Sequence, residues 1–213
     1  AALSVGGENV IAKFLGAHSL TVDFVDHFRG AHEEFDYNWE ERWIRDEGYL
    51  KIIPQAVEGA LKEAGLQASD IDHFILPCTL PKVPQSVAKK LGIPAEKVRD
   101  NLAANCGETG AAHGLVMLVH ALQEAKPGEK ILLAHFGGGA DALIFETTDK
   151  LSSMDDRRGI TGALADRQEE TNYMKFLTFN GLVEWEKGMR AEQDKKTALT
   201  TLYRNEDMIL GLA

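Results

Sequence analysis

The chain has 213 residues, 33 acidic and 23 basic side chains, a formal net charge of −10, 44% apolar residues and 26% charged ones. That is the composition of a folded globular protein, one large domain or a smaller one with an extension, and it is unlike a disordered chain. The acidic balance repels phosphate backbones and anionic lipid, so neither nucleic acid nor membrane is an expected partner.

The two cysteines, Cys78 and Cys106, are too few for a disulfide framework or a four-thiolate zinc site. No apolar run nears the ~20 residues of a membrane span. The amino terminus has neither the basic start nor the long apolar stretch of a signal peptide, and a reducing cytoplasm is the expected location. The opening run Ala1, Ala2, Leu3 and Val5 has no polar lead-in, as though the chain were cut from inside a fold.

In chain order, apolar residues in 2–5 and 10–15 flank the turn signal Gly6-Gly7-Glu8-Asn9 and predict two strands in a hairpin. A further apolar stretch, Leu20, Val22 and Phe24, gives way to the acidic, aromatic segment 27–43, read as loop and then helix. Leu50, Ile53, Val57, Leu61 and Ala64 recur every three or four residues and predict an amphipathic helix. Gly65-Leu66 would close it with a left-handed cap, and Pro54 implies a helix start nearby or a kink. HFILP at 73–77 is a short unbroken apolar run, the mark of a strand buried on both faces.

Val83, Val87 and Leu91 before Gly92 predict a second helix, and Val98 to Leu102 a weak strand. The segment from Cys106 predicts a helix apolar nearly all round, hence central and buried, stopped by Lys126-Pro127-Gly128-Glu129. Strands at 131–136 and 142–146 flank a sharp passage at Gly137-Gly138-Gly139. Beyond Asp149 the chain turns polar, with apolar patches MKFLTF and GLVEW, and reads as a helical extension. The expected class is α/β, with 1–149 forming a layered α-β-α unit around a buried central helix and 150–213 the extension.

The ordered motifs KEAGLQASDIDHFILP, AKKLGIPAEKV, NLAANCGETGAAHG and KPGEKILLAHFGGGADALIFE resemble the carboxy-terminal half of thiolase-superfamily condensing enzymes, the 3-ketoacyl-acyl carrier protein synthase III and 3-hydroxy-3-methylglutaryl-CoA synthase type. The resemblance covers residues 45–147 and, more loosely, 1–20. It implies an acyltransferase that acts by Claisen condensation on acyl-CoA or acyl carrier protein thioesters. Coenzyme A enters as substrate and no cofactor is held covalently.

The implied partners are an amino-terminal half carrying the nucleophilic cysteine, a second copy in a homodimer, and a zinc-ribbon and OB-fold module. The last is implied by the tail ending in TLYRNEDMILGLA, which is similar to the helical lead-in of such modules.

The resemblance also assigns residues. Pro77 stands where the family histidine belongs, with Cys78 beside it, and Glu108 stands where the family has asparagine. Proline donates no proton, and an ionised glutamate donates no hydrogen bond to an enolate oxygen. The glycine run survives, with Gly138 offering a backbone N–H to a thioester oxyanion and Gly137 and Gly139 permitting close approach. Lys82 matches the basic residue that faces the phosphates of coenzyme A or the carrier.

Glu108 has a capping role open to it at the first turn of a helix, and a general acid or base role as the alternative. Cys78, next to the position of the family histidine, is a catalytic candidate with a small buried side chain as its alternative reading, and Cys106 reads as structural with some reactivity open to it at a helix start. His135, just before the glycines, is a catalytic candidate if it points toward the site and a core residue if it points inward; His113 and His120, on one helix face, read as core. Asp26-His27 and His32-Glu33-Glu34 lack any metal-ligand spacing and read as acidic surface, so no metal is expected. A different class of reading is a non-catalytic thiolase-fold subunit that organises a complex.

Overall fold

Alternating side chains and a bulge between Phe14 and Gly16 shape the first strand, β1 (Ala12–Thr21), in the computed structural model, which describes residues 3–153 and 158–183. The hairpin expected around Gly6-Gly7-Glu8-Asn9 is not formed. Leu3 and Val5 are 44% and 92% exposed and have no neighbouring face to cover them, so nothing holds 3–5 as a strand. The lead-in at Ile11 instead accepts the Thr148 N–H at 2.9 Å. The acidic aromatic segment contains a ribbon of two very short strands, β2 (His27–Phe28) and β3 (Tyr37–Asn38), before a short helix, α1 (Glu41–Trp43).

A π-helical stretch, Ile44–Tyr49, runs directly into α2 (Leu50–Ala64). Pro54 lies inside this helix and takes no N–H to the carbonyl of Leu50, four residues earlier. The ammonium of Lys90, on α3 (Val83–Leu91), donates to that carbonyl at 2.7 Å. The expected cap is present at Gly65, with φ 67°, where Leu66 N–H reaches Leu61 O at 2.9 Å. Gly92, with φ 78°, ends α3 in the same way.

Strand β4 (His73–Ile75) runs parallel to β5 (Lys130–Gly137), which turns back into β6 (Gly139–Thr147), and β1 completes a four-stranded sheet in the order β1-β6-β5-β4. Val98 makes a single bridge to Phe74 instead of the expected strand over 98–102, since Arg99 N–H takes Phe74 O at 2.9 Å and Leu102 turns left-handed at φ 58°. A short helix, α4 (Ala103–Cys106), follows, and α5 (His113–Glu124) crosses from β4 to β5. α5 is less enclosed than its sequence implies: His113, Gly114, Met117, Leu118 and Ala121 are buried, whereas Leu115, Val116, Val119 and Leu122 are half-buried.

Strand alternation gives the sheet two faces. Leu132, Ala134, Phe136, Ala140, Ala142 and Ile144 pack with α2 and α3, while Ile75, Ile131 and Leu133 pack with Met117, Leu118 and Ala121 of α5. Helix α6 (Gly159–Ala165) is fixed to α5 by Gln123, whose Oε1 accepts the N–H groups of Ile160 and Thr161 at 2.8 and 3.1 Å.

The chain divides into two compact units, 1–166 and 167–213. In the second, α7 (Tyr173–Phe179) begins with Asn172 accepting the Lys175 N–H at 3.1 Å and carries the MKFLTF patch. The segment TLYRNEDMILGLA lies outside the described residues. Among the described residues no helix is long and apolar enough to cross a membrane.

Candidate active site

At the carboxy-terminal ends of β4 and β5 a cleft of about 1010 Å³ opens, with Pro77, Cys78, Glu108, His135 and Gly137 to Gly139 on its wall. The glycine tip joins β5 to β6 through Gly138, with Gly137 opposite Gly139 in register. Gly139 has φ 126°, and a Cβ there would sit 1.8 Å from the Leu20 carbonyl oxygen, so only glycine fits. Val22 N–H donates to Gly138 O at 3.3 Å, fixing the tip against the end of β1. A Cβ at Gly138 would meet nothing within 4 Å, and among the described residues no acceptor takes its N–H.

The second wall follows β4. Cys78 is 5% exposed, with its thiol toward Leu80 O at 3.9 Å. Burial pushes that thiol above its ordinary value, against the opposing contacts with Leu80 and Tyr49, so the reactive thiolate is disfavoured. Burial, with Cys78 alongside, also drives the Tyr49 phenol far up, and its ring packs against Phe136 at a 4.5 Å centroid distance. Asn101 ties this wall to the next segment, donating from Nδ2 to Cys78 O at 2.9 Å and accepting the Ala103 N–H at 3.0 Å.

His113 holds the loop that carries Glu108. Its Nδ1 accepts the Thr109 N–H at 3.3 Å, which leaves the ring proton on Nε2 to donate to Asn101 O at 2.7 Å. His113 is 1% exposed and is the buried core residue expected, while also fixing the loop. Glu108 is exposed and accepts the Gly110 N–H at 2.8 Å; it stands ahead of the helix expected there, because a 3-10 turn, Gly110–Ala112, intervenes before α5 begins at His113.

His135 lies opposite Asp141 in the β5–β6 register, and Asp141 lies opposite Ser19 in the β1–β6 register. Ser19 Oγ donates to Asp141 Oδ1 at 2.5 Å. All three line the cleft on the α5 face of the sheet. Ser19 and Asp141 escape a reading of the sequence because they are distant in the chain. The usable signal was the hairpin itself: counting outward from Gly138, positions 135 and 141 are equidistant and must pair.

Of the other residues singled out in the sequence, Lys82 is exposed at the start of α3, with φ 62°, and does not line the cleft. Cys106 is exposed, with its thiol near Leu102 O at 3.4 Å. His120 sits near Arg99 and Glu124, away from the cleft wall. Asp26 and His27 reach the rim, joined from Asp26 Oδ1 to His27 Nδ1 at 2.8 Å, whereas His32, Glu33 and Glu34 are exposed outside it. Among the described residues no three His, Cys, Asp or Glu side chains converge as a metal site.

The sequence model of the 3-oxoacyl-[acyl-carrier-protein] synthase III C-terminal family matches residues 61–145. The hydroxymethylglutaryl-CoA synthase of Thermococcus gammatolerans is 30% identical over 182 residues, 84% of this chain and 51% of that protein. The Pyrococcus furiosus protein of the same name is 35% identical over 136 residues, 63% of this chain and 39% of its own. The chain thus spans about half the length of the curated relatives it matches.

Among solved structures, 3-oxoacyl-[acyl-carrier-protein] synthase III from Aquifex aeolicus aligns with a TM-score of 0.57 at 20% identity, covering 66% of this chain and 46% of that one. An HMG-CoA synthase complexed with CoA aligns with a TM-score of 0.54 at 18% identity, covering 73% and 44%. Together with the layered α/β fold, these matches make the chain similar to the C-terminal part of 3-oxoacyl-[acyl-carrier-protein] synthase III and to hydroxymethylglutaryl-CoA synthase.

Proposed function

We propose that this chain, joined to an amino-terminal half bearing a nucleophilic cysteine, forms an acyltransferase that condenses acyl thioesters of coenzyme A or an acyl carrier protein. The observation that carries the reading is the glycine tip: Gly138, held through its carbonyl by Val22 and with its N–H bonded to no acceptor among the described residues, lines the same cleft as Glu108 and His135. A donor fixed in place before the reaction suits the oxygen of a thioester that gains negative charge as an enolate forms or attacks. The second face of the sheet supports the missing half, since Phe14 is 58% exposed and Phe145 half-buried where another layer would pack. Lys82 would meet the phosphates of the carrier, and the segment from 150 would lead toward a further module or a second copy.

The test joins both halves in one sample with acetyl-CoA and longer acyl-CoAs. Intact mass should show an acyl adduct on the partner half, followed by a carbon–carbon condensation product. Adduct formation without any condensation, across coenzyme A and carrier-protein thioesters alike, would overturn the reading.

A second reading is favoured by Pro77, which offers no proton where the resemblance calls for a histidine. It makes the chain a non-catalytic thiolase-fold subunit that organises a complex. Turnover of the joined wild-type halves separates the two, since the subunit reading expects none; where turnover is present, an unchanged rate in Glu108→Gln removes Glu108 from the chemistry and a lost rate with retained acylation keeps it there.

A further inference from the structure

We propose that His135 is the proton acceptor of the cleft and that Asp141, pinned by Ser19, is its positioning residue. The inference rests on the thioester-condensing reading and assigns to it a base that lies on the sheet. Three observations place it there. His135, Asp141 and Ser19 form a polar row across β5, β6 and β1, and directly opposite side chains in such a ladder have Cβ atoms about 5 Å apart. The row lies two residue pairs from the glycine tip, and His135 and Gly138 line one cleft. Pro77 Cγ and His135 Cδ2 lie 3.6 and 3.9 Å from the point a Cβ on Gly114 would occupy, which sets the imidazole beside the end of β4.

Next to the row on that face, Ile131 and Leu133 are buried on β5 and Leu143 and Phe145 half-buried on β6. The other imidazole of the cleft, His27, is bonded to Asp26 and is 57% exposed on the outer ribbon.

The groups that face His135 are Asp141 from β6, Glu108 from the loop before α5 and His113 from α5. Burial holds the imidazole below its ordinary value, against the pull of the two carboxylates and with His113 pushing the same way. Its resting form at neutral pH is therefore the neutral ring, able to accept a proton. Asp141, held at one oxygen by Ser19, lies opposite the ring in register, where its charge favours the imidazolium that forms, and the neutral ring keeps one nitrogen free to take the proton.

In the step, the C–H bond next to a thioester carbonyl breaks and an N–H bond forms on that free nitrogen. The C–H electron pair becomes the enolate double bond, and the carbonyl pair moves to oxygen, within reach of the Gly138 donor.

Deuterium exchange at the α-carbon of acetyl-CoA, followed by mass spectrometry in D2O on the protein with both halves present, tests the assignment. His135→Gln should lower exchange about 100-fold or more, with acyl-adduct formation retained. Asp141→Asn should lower it about 10-fold and move the acid limb of the pH profile to lower pH, as removal of a carboxylate beside an imidazole requires. Ser19→Ala should act in the same direction and less. Wild-type exchange in His135→Gln overturns the base assignment, while exchange and condensation absent from the wild type overturn the condensing reading beneath it. The His135 titration followed by NMR decides the positioning role without turnover: a lower midpoint in Asp141→Asn supports it and an unmoved one removes it.

Discussion

The two faces of the central sheet are built to different degrees. On the α2 side Phe74, Leu132, Ala134, Ala142 and Ile144 are fully buried, with α2 and α3 lying across them. On the α5 side a single helix covers β4 and β5, and beyond it Phe14 stands 58% exposed, touching Phe145 edge to face at 5.9 Å. The finished face holds the chain together, and the unfinished one carries the glycine tip and the polar row. The exposed ring lies where the proposed amino-terminal half would pack.

That contrast can be broken by substitution. Phe74→Ala removes a wholly buried ring from the finished face and should cost about 3–5 kcal/mol in chemical denaturation. Gly139→Ala should cost about 3 kcal/mol or more, since the added carbon meets the Leu20 carbonyl and the backbone is left-handed there. Lys90→Met should cost about 1 kcal/mol, the loss of one partly exposed bond to the Leu50 carbonyl.

Phe14→Ala should change the stability of this chain alone by less than about 0.5 kcal/mol. The same change should weaken association with an amino-terminal half, read by analytical ultracentrifugation; equal effects in both measurements would erase the contrast between the faces.

Acid sharpens it further, because two carboxylates fasten the edge of the sheet near β4. Burial pushes Asp72 up, but the Lys130 N–H and the Lys97 ammonium outweigh it and hold the group below its ordinary 3.8. Burial likewise raises Glu129, and the Lys126 N–H with His73 brings it below 4.5. Both are lower in the folded state, so their contribution is complete above the ordinary carboxylate values and fades as pH falls through the folded ones. Thermal unfolding should show a steeper loss below about pH 4.5 in the wild type than in Glu129→Gln.

The sequence was most readable where spacing and termination agree. Apolar positions every three or four residues, with Gly65 and Gly92 after them, located α2 and α3 closely. It was least readable where an element is defined by its neighbour. Two-residue strands such as His27–Phe28 carry no period, and Val98 looks like a strand residue yet makes one bridge because Leu102 turns the chain away.

In the site, the cleft position of Gly138, Cys78, Glu108 and His135 was legible through resemblance and motif order, whereas Ser19 and Asp141 required the register. Leu3 and Val5 show the converse case: an apolar pattern beside a good turn makes no hairpin when nothing covers it.

Pro54 has a consequence for how the protein opens. The Leu50 carbonyl is held by a side chain from α3, so the first turn of α2 has an anchor outside its own helix. Fraying at that end must release Lys90 as well, and the two helices should therefore exchange their amide protons as one cooperative block.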